Sequence, residues 1–271
     1  MEPIVLFQGD AQRWARRKDH VMSKALALCI IMLLTGRFQL FAQDTLSKGK
    51  ALNFPTKKHG ISIGTSHEFT GLRINFADED VKTVNGLNIT FWIKPAKNQE
   101  AVYNGISIGT FPGGGTTQYI NLGLLGTGAN DNLNGVSIGG IVIGSGGDIN
   151  GLSIGGLFIL TDEGDIVRIN GVSVGGLAIG TDGDINGIAS SLACLSAREN
   201  RGVSVTAGYL GSEVFKGVAL AGYAKTDQMH GLSVALYNEA EELHGVQFGL
   251  LNHAKNNPKG LRLLPFINVH L

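Results

Sequence analysis

The sequence predicts an all-β protein built from one repeated strand unit. The leading expectation is an antiparallel meander closed into a transmembrane β-barrel of about 14 strands. A β-solenoid is the alternative. Three observations point to this fold class. A unit reading polar-Gly-aliphatic-x-aliphatic recurs from residue 59 to the end. Glycine is abundant, at 40 of 271 residues, while charged residues make up only 16%. That charge gathers between the later repeats rather than within them.

Composition narrows the class further. Soluble domains carry about 25% charged residues, so this chain is charge-poor. With 43% hydrophobic residues it lacks the low hydrophobicity of a disordered chain. Its glycines follow no three-residue period and prolines number only 6, which excludes collagen. The formal net charge is 0, so there is no basic footprint and no nucleic-acid partner is expected.

Residues 1–43 read as a signal peptide. Arg13, Arg16, Arg17, Lys18 and Lys24 form a basic region, and the apolar run Ala25–Leu34 follows. That run is too short for a spanning helix, which needs about 20 residues, and it suits export. Cleavage is expected near Ala42-Gln43-Asp44, with Leu40 or Phe41 standing where a small residue is preferred. Met22 is an alternative start that leaves a more ordinary signal. Lipidation at Cys29 and twin-arginine export at Arg16-Arg17 are weaker readings. Removal of Cys29 leaves Cys194 without an intrachain disulfide partner. Residues 44–58 read as a linker and 59–271 as the β-repeat domain.

The repeat units include His59-Gly-Ile-Ser-Ile63, Asn85-Gly-Leu-Asn-Ile89, Asn134-Gly-Val-Ser-Ile138, Asn170-Gly-Val-Ser-Val174 and His230-Gly-Leu-Ser-Val234. Thr70-Gly-Leu-Arg-Ile74 is a looser copy, and a degenerate one falls around Tyr119–Leu125. Aliphatic residues alternate with small ones, the period of a strand. In the last units one face carries Val203, Val205, Val218 and Leu220, and the other Ser204, Thr206, Ala219 and Ala221. In the middle units Gly139-Gly140, Gly155-Gly156 and Gly175-Gly176 interrupt the alternation, which resumes on the opposite phase. Glycine inside a strand pattern marks a bulge, a bend or close backbone approach.

A solenoid must bring each unit back to its starting side. A ten-residue strand spans about 33 Å, and roughly five further residues cannot return that distance. A solenoid therefore needs a corner in mid-unit. The Gly-Gly pairs could supply one, but the C-terminal units lack them. A meander needs no return, and strands of about 9–11 residues suit an outer membrane. In that reading the aliphatic face meets lipid, the small face lines a lumen, and closure removes the exposed edges. Low aromatic content, short turns and the Gly-Gly units count against the barrel.

These repeats, together with the tail Leu264-Pro-Phe-Ile-Asn-Val-His-Leu271, resemble a family of uncharacterised bacterial surface-repeat proteins of the cell envelope. Its members are built from Asn-Gly-Leu-x-Ile-Gly-like units. The stretches Asn85–Trp92 and His244–Asn252 are also typical, and the resemblance covers nearly all of 59–271. It implies the envelope of a Gram-negative-type bacterium and no catalytic residues. The tail is also similar to the terminal signal read by the outer-membrane insertion machinery, although Leu271 stands where an aromatic is usual. Outer-membrane lipid and that machinery are therefore the expected partners.

Residues that could carry chemistry are few. Asp148, Asp165 and Asp184 lie in similar Gly-Asp-Ile turns and form a low-ranked candidate Ca²⁺ cluster. Ordinary Asx-type turns explain them as well. His230 and His244 share a unit position, with His253 and His270 nearby, but a metal needs three or four converging ligands. No nucleophile elbow, phosphate loop or zinc motif is present, and the Gly-x-Gly patterns lack a following helix. The functional expectation is an outer-membrane or surface repeat protein with a structural, pore or interaction role, without catalysis or cofactor. The alternative is a secreted β-solenoid binding module, with Ca²⁺ as a candidate stabiliser.

Overall fold

The computed structural model describes residues 51–93, 98–162 and 167–271. The expected signal peptide lies outside these residues. The described chain belongs to one compact unit, Gly49–Leu271.

The strands follow in chain order: β1 Leu52–Pro55, β2 His59–Ile63, β3 Glu68–Asp78, β4 Thr83–Ile93, β5 Val102–Gly109, β6 Gly113–Gly114, β7 Thr116–Gly123, β8 Gly126–Ala129 and β9 Leu133–Gly139. Then come β10 Val142–Ser145, β11 Ile149–Gly155, β12 Phe158–Thr161, β13 Arg168–Gly175, β14 Ala178–Gly180, β15 Asp184–Ser191, β16 Cys194–Thr206, β17 Tyr209–Ala254 and β18 Leu263–His270. The expectation of an all-β, repeat-built chain holds.

The antiparallel barrel does not, because successive units lie parallel. β11 pairs with β9 and β13 in parallel, so that Asn134, Asn150 and Asn170 align, as do Ser137, Ser153 and Ser173. β10 pairs in parallel with β8 and β12. Each coil thus has two arms, one from each stack, and the fold is a β-solenoid.

The Gly-Gly pairs are the corners that make the return. Gly139 and Gly155 lie inside, where an added Cβ would strike the carbonyl oxygens of Val142 and Phe158 on the opposing arm. The arms can approach this closely only because these residues have no side chain. The apparent phase change follows directly: Ile138 points outward on one arm and Ile143 inward on the other.

The C-terminal units turn the same corner with other residues. Gly208 N–H donates to Leu192 O (3.0 Å) and Gly222 N–H to Gly208 O (3.0 Å), continuing the ladder set by Gly156 to Gly139 (2.8 Å). Beyond that, Leu236 takes the position, and β17 runs on as one 46-residue strand segment. The absence of a glycine pair therefore did not mean the absence of a corner.

The two faces separate as the alternation foresees, but the small face encloses a packed core rather than a lumen. Ser137, Ser153, Ser173, Ser204 and Ala219 are buried. Ile143, Ile159, Ile179 and Leu195 pack with Leu133, Ile149, Ile169 and Ile185 in the middle coils. Leu210, Phe215, Met229 and Leu243 continue the core toward the C-terminus.

A parallel stack leaves an unpaired edge at each end, a template for association. Here an antiparallel strand covers each one. β1, within the stretch read as a linker, pairs with β2. β18 pairs with the end of β17, with a register shift between Gly249 and Asn252. Pro265 interrupts the donors of β18. The buried amides of Asn252, Asn257 and Asn268 fix this cap: Asn257 Nδ2 donates to Asn268 Oδ1 (2.7 Å), and Asn268 Nδ2 to Asn252 O (3.2 Å).

Candidate functional site

The glycine of each unit occupies a column through the stack. Gly151, Gly171 and Gly187 have φ of 113°, 108° and 123°, and a Cβ on each would meet the carbonyl of the glycine one coil before. The left-handed backbone turns the chain so that the preceding residue points out beside its neighbours.

That preceding residue builds a polar ladder. Asn150 Nδ2 donates to Asn134 Oδ1 (2.9 Å), Asn170 to Asn150 (2.7 Å) and Asn186 to Asn170 (2.9 Å). Parallel in-register stacking brings identical amides together, as in other asparagine ladders. The column then turns cationic. Arg201 Nη2 and Lys216 Nζ both donate to Glu199, at 2.6 and 2.9 Å. The Lys216 hydrogen bond, followed by the nearby positive charges, holds the Glu199 carboxyl below its ordinary range.

Next in the column, the His230 and His244 rings stack at 4.8 Å, with His270 edge-on at 6.0 Å. The shared unit position of His230 and His244 thus becomes contact, and β18 adds His270. His253 lies further along, opposite Leu263. Among the described residues no group of three or more His, Cys, Asp or Glu could hold a metal ion.

The aspartates of the turn cluster are engaged otherwise. Asp148 Oδ1 accepts the Arg168 amide at 2.8 Å. Asp184 is buried and paired with Arg198 at 2.8 Å. The register sets Ile149 opposite Ile169 and Arg168 opposite Asp184, so Arg168 stands on the rung between the two carboxylates. Asp165 lies outside the described residues.

On the side of the glycine column away from the ladder, the unit's two aliphatic positions form an outward face. One column runs from Ile61 through Ile106, Val136, Leu152 and Val172 to Val246. The other runs from Ile63 through Ile108, Ile138, Ile154 and Val174 to Phe248. Only Ser190 interrupts the apolar character of these columns, and neither holds a charge. Many of these side chains stay more than a third exposed. Scattered exposed aliphatics are ordinary, but a contiguous patch above a few hundred Å² marks an interaction surface.

Two further clusters had weak signals in the sequence. Arg73 replaces the buried serine of the unit and is 0% exposed. Its Nη1 donates to Asp78 Oδ1 (2.6 Å) and Asn88 Oδ1 (2.9 Å), and Tyr103 Oη donates to Asp78 Oδ2 (2.8 Å). Asn75 also donates to Asp78. Arginine in Thr70–Ile74 was the visible clue, and knowing which face is interior would have placed it.

The second cluster is a tyrosine stack at the corner. Tyr223 lies 5.5 Å from Tyr209 and 5.2 Å from Tyr237, and its hydroxyl donates to Glu239 (2.7 Å). Cys194 aligns with Tyr209 one coil earlier; it is partly buried, and burial raises its thiol pKa.

Burial is the first cause raising the phenol pKa of Tyr103, Tyr209, Tyr223 and Tyr237. The charge on Asp78 adds to it at Tyr103, and the Glu239 hydrogen bond at Tyr223. Folding thus favours the neutral phenol. That stabilisation is complete below the unfolded pKa of about 10 and is lost as pH rises through the higher folded values. Ultraviolet titration of the native protein is expected to show most of the 5 tyrosines ionising later than in urea. Matching native and urea curves would refute the assignment.

Comparison of this chain with models of known families, with curated proteins and with solved structures finds no match.

Proposed function

We propose that this chain is an exported protein of the bacterial envelope, a β-solenoid with a binding and structural role rather than a catalytic one. The observation that carries the reading is the continuous, charge-free aliphatic face beside the asparagine ladder. The asparagine amides of the repeat bond to one another along the stack, which suits a scaffold. The basic-then-apolar N-terminal segment supports export, and the resemblance of the repeats and tail to surface-repeat proteins supports an envelope location. Arg168, on the rung between Asp148 and Asp184, disfavours a Ca²⁺ site at those turns.

The test is production of the full chain in a Gram-negative host, followed by fractionation. The expected product is shortened at its N-terminus, lies outside the inner membrane and stays folded in detergent-free buffer. Retention of the uncleaved chain in the cytosol would sink the export reading. A requirement for detergent, with mobility that changes on boiling, would sink the solenoid module.

A further inference from the structure

We propose that the aliphatic face is covered by a second copy of this chain, packed face to face and antiparallel about a two-fold axis at Ile154. The inference rests on the reading of that face as the binding surface.

Area is the first argument. Parallel rungs lie about 4.8 Å apart, so the face extends about 60 Å from Ile63 to Phe248. Two aliphatic columns and the corner beside them make it about 14 Å wide. The projected area is on the order of 800 Å², the amount each partner contributes to a standard stable interface. Side chains in the middle of the face remain open to this extent: Ile138 is 38%, Ile154 36% and Val174 40% exposed.

Periodicity selects the occupant. Every rung but that of Ser190 presents two aliphatic side chains at the same interval, because the register between coils is unbroken from β9 through β15. A second copy repeats that interval, so its side chains keep step with these at every rung at once. A helix, with a pitch near 5.4 Å, drifts out of step within a few turns. Stacked sheets pack about 10 Å apart with interdigitated side chains.

The ends favour a closed pair over a filament. β1 and β18 cover both edges of the stack in antiparallel fashion, and each carries a proline, Pro55 and Pro265. Growth along the axis is therefore blocked, and the face is the open surface. An isologous two-fold contact uses the same patch on both copies and closes. Ile154 lies on the middle rung of the column running from Gly60 to Gly245, so the axis sets it against the partner copy's same residue.

The test uses the full chain as processed and exported by its expression host, in detergent-free buffer, by sedimentation velocity over a wide concentration range. Wild type is expected at twice the chain mass. Ile154→Lys and Ile154→Glu each place like charges together at the axis. Each is expected to sediment as a monomer, with unchanged circular dichroism. Mixing the two is expected to restore the dimer through opposite charges.

A monomeric wild type at every concentration would overturn the proposal, as would a dimer that survives both substitutions. If that monomeric wild type bound phosphatidylethanolamine–phosphatidylglycerol vesicles and Ile154→Glu did not, a lipid surface would replace the second copy. The reading of the face as a binding surface would then stand. Export and fractionation of the chain are read independently of either result.

Discussion

Replacing Asp78 with alanine is expected to destabilise the protein by about 3–5 kcal/mol, the usual cost of stranding a buried charge. Asp78 and Arg73 are both wholly buried and 2.6 Å apart. The carboxylate also accepts from Asn75, Asn88 and Tyr103. Removing it leaves a guanidinium inside the solenoid without its counter-charge and three donors without their acceptor. That loss is large against a total stability of about 5–15 kcal/mol. Urea unfolding followed by circular dichroism would measure it. The double variant Arg73→Met/Asp78→Asn removes both charges and is expected to be more stable than Asp78→Ala. A double variant no better than the single would mean that shape, not charge, governs the site.

The second large effect is expected from Gly171→Ala. At φ 108° the backbone is one that L side chains rarely adopt, and the new Cβ would meet the carbonyl oxygen of Gly151. Relief requires parting two coils, which breaks ladder hydrogen bonds on both. The strain contributes about 1–3 kcal/mol, and lost stacking adds to it, because each coil is stabilised chiefly by its neighbours. A loss on the order of 3 kcal/mol or more is expected in urea unfolding. Gly144→Ala is the control: its backbone is outside the left-handed region and nothing lies within 4 Å of the added atom. Equal losses at the two positions would refute the column argument.

Much of this architecture is written locally in the chain. Alternation in Val203–Thr206 and Val218–Ala221 separates the two faces correctly, because side-chain direction follows from strand period two. The Gly-Gly pairs mark the places where the backbone needs freedom. The repeat interval announces that one structural unit recurs. Each of these signals depends on residues next to one another, so the sequence suffices to read them.

Strand direction is different. A parallel and an antiparallel neighbour demand the same alternation, and the choice depends on whether the chain turns a corner within the unit. Ala207-Gly208, Gly222 and finally Leu236 make that corner without a repeated signature, so chain-return arithmetic favoured the wrong architecture. Which face lies inside was equally open. Serine and alanine suit either a lumen or a thin core, and only the approach of the second arm, through Gly139 and Gly155, decides for the core.

The candidate site divides in the same way. The aliphatic columns could be named residue by residue, but their exposure follows from the parallel stacking. The Asp148, Asp165 and Asp184 motifs look equivalent in the sequence. Spatial register instead brings Arg168 beside Asp184, since the coil containing Asp165 is longer than its neighbours. By itself, then, the sequence determined the strand, its two faces and the repeat. Tertiary structure decided direction, register and which face meets solvent, because those depend on contacts between residues one coil apart.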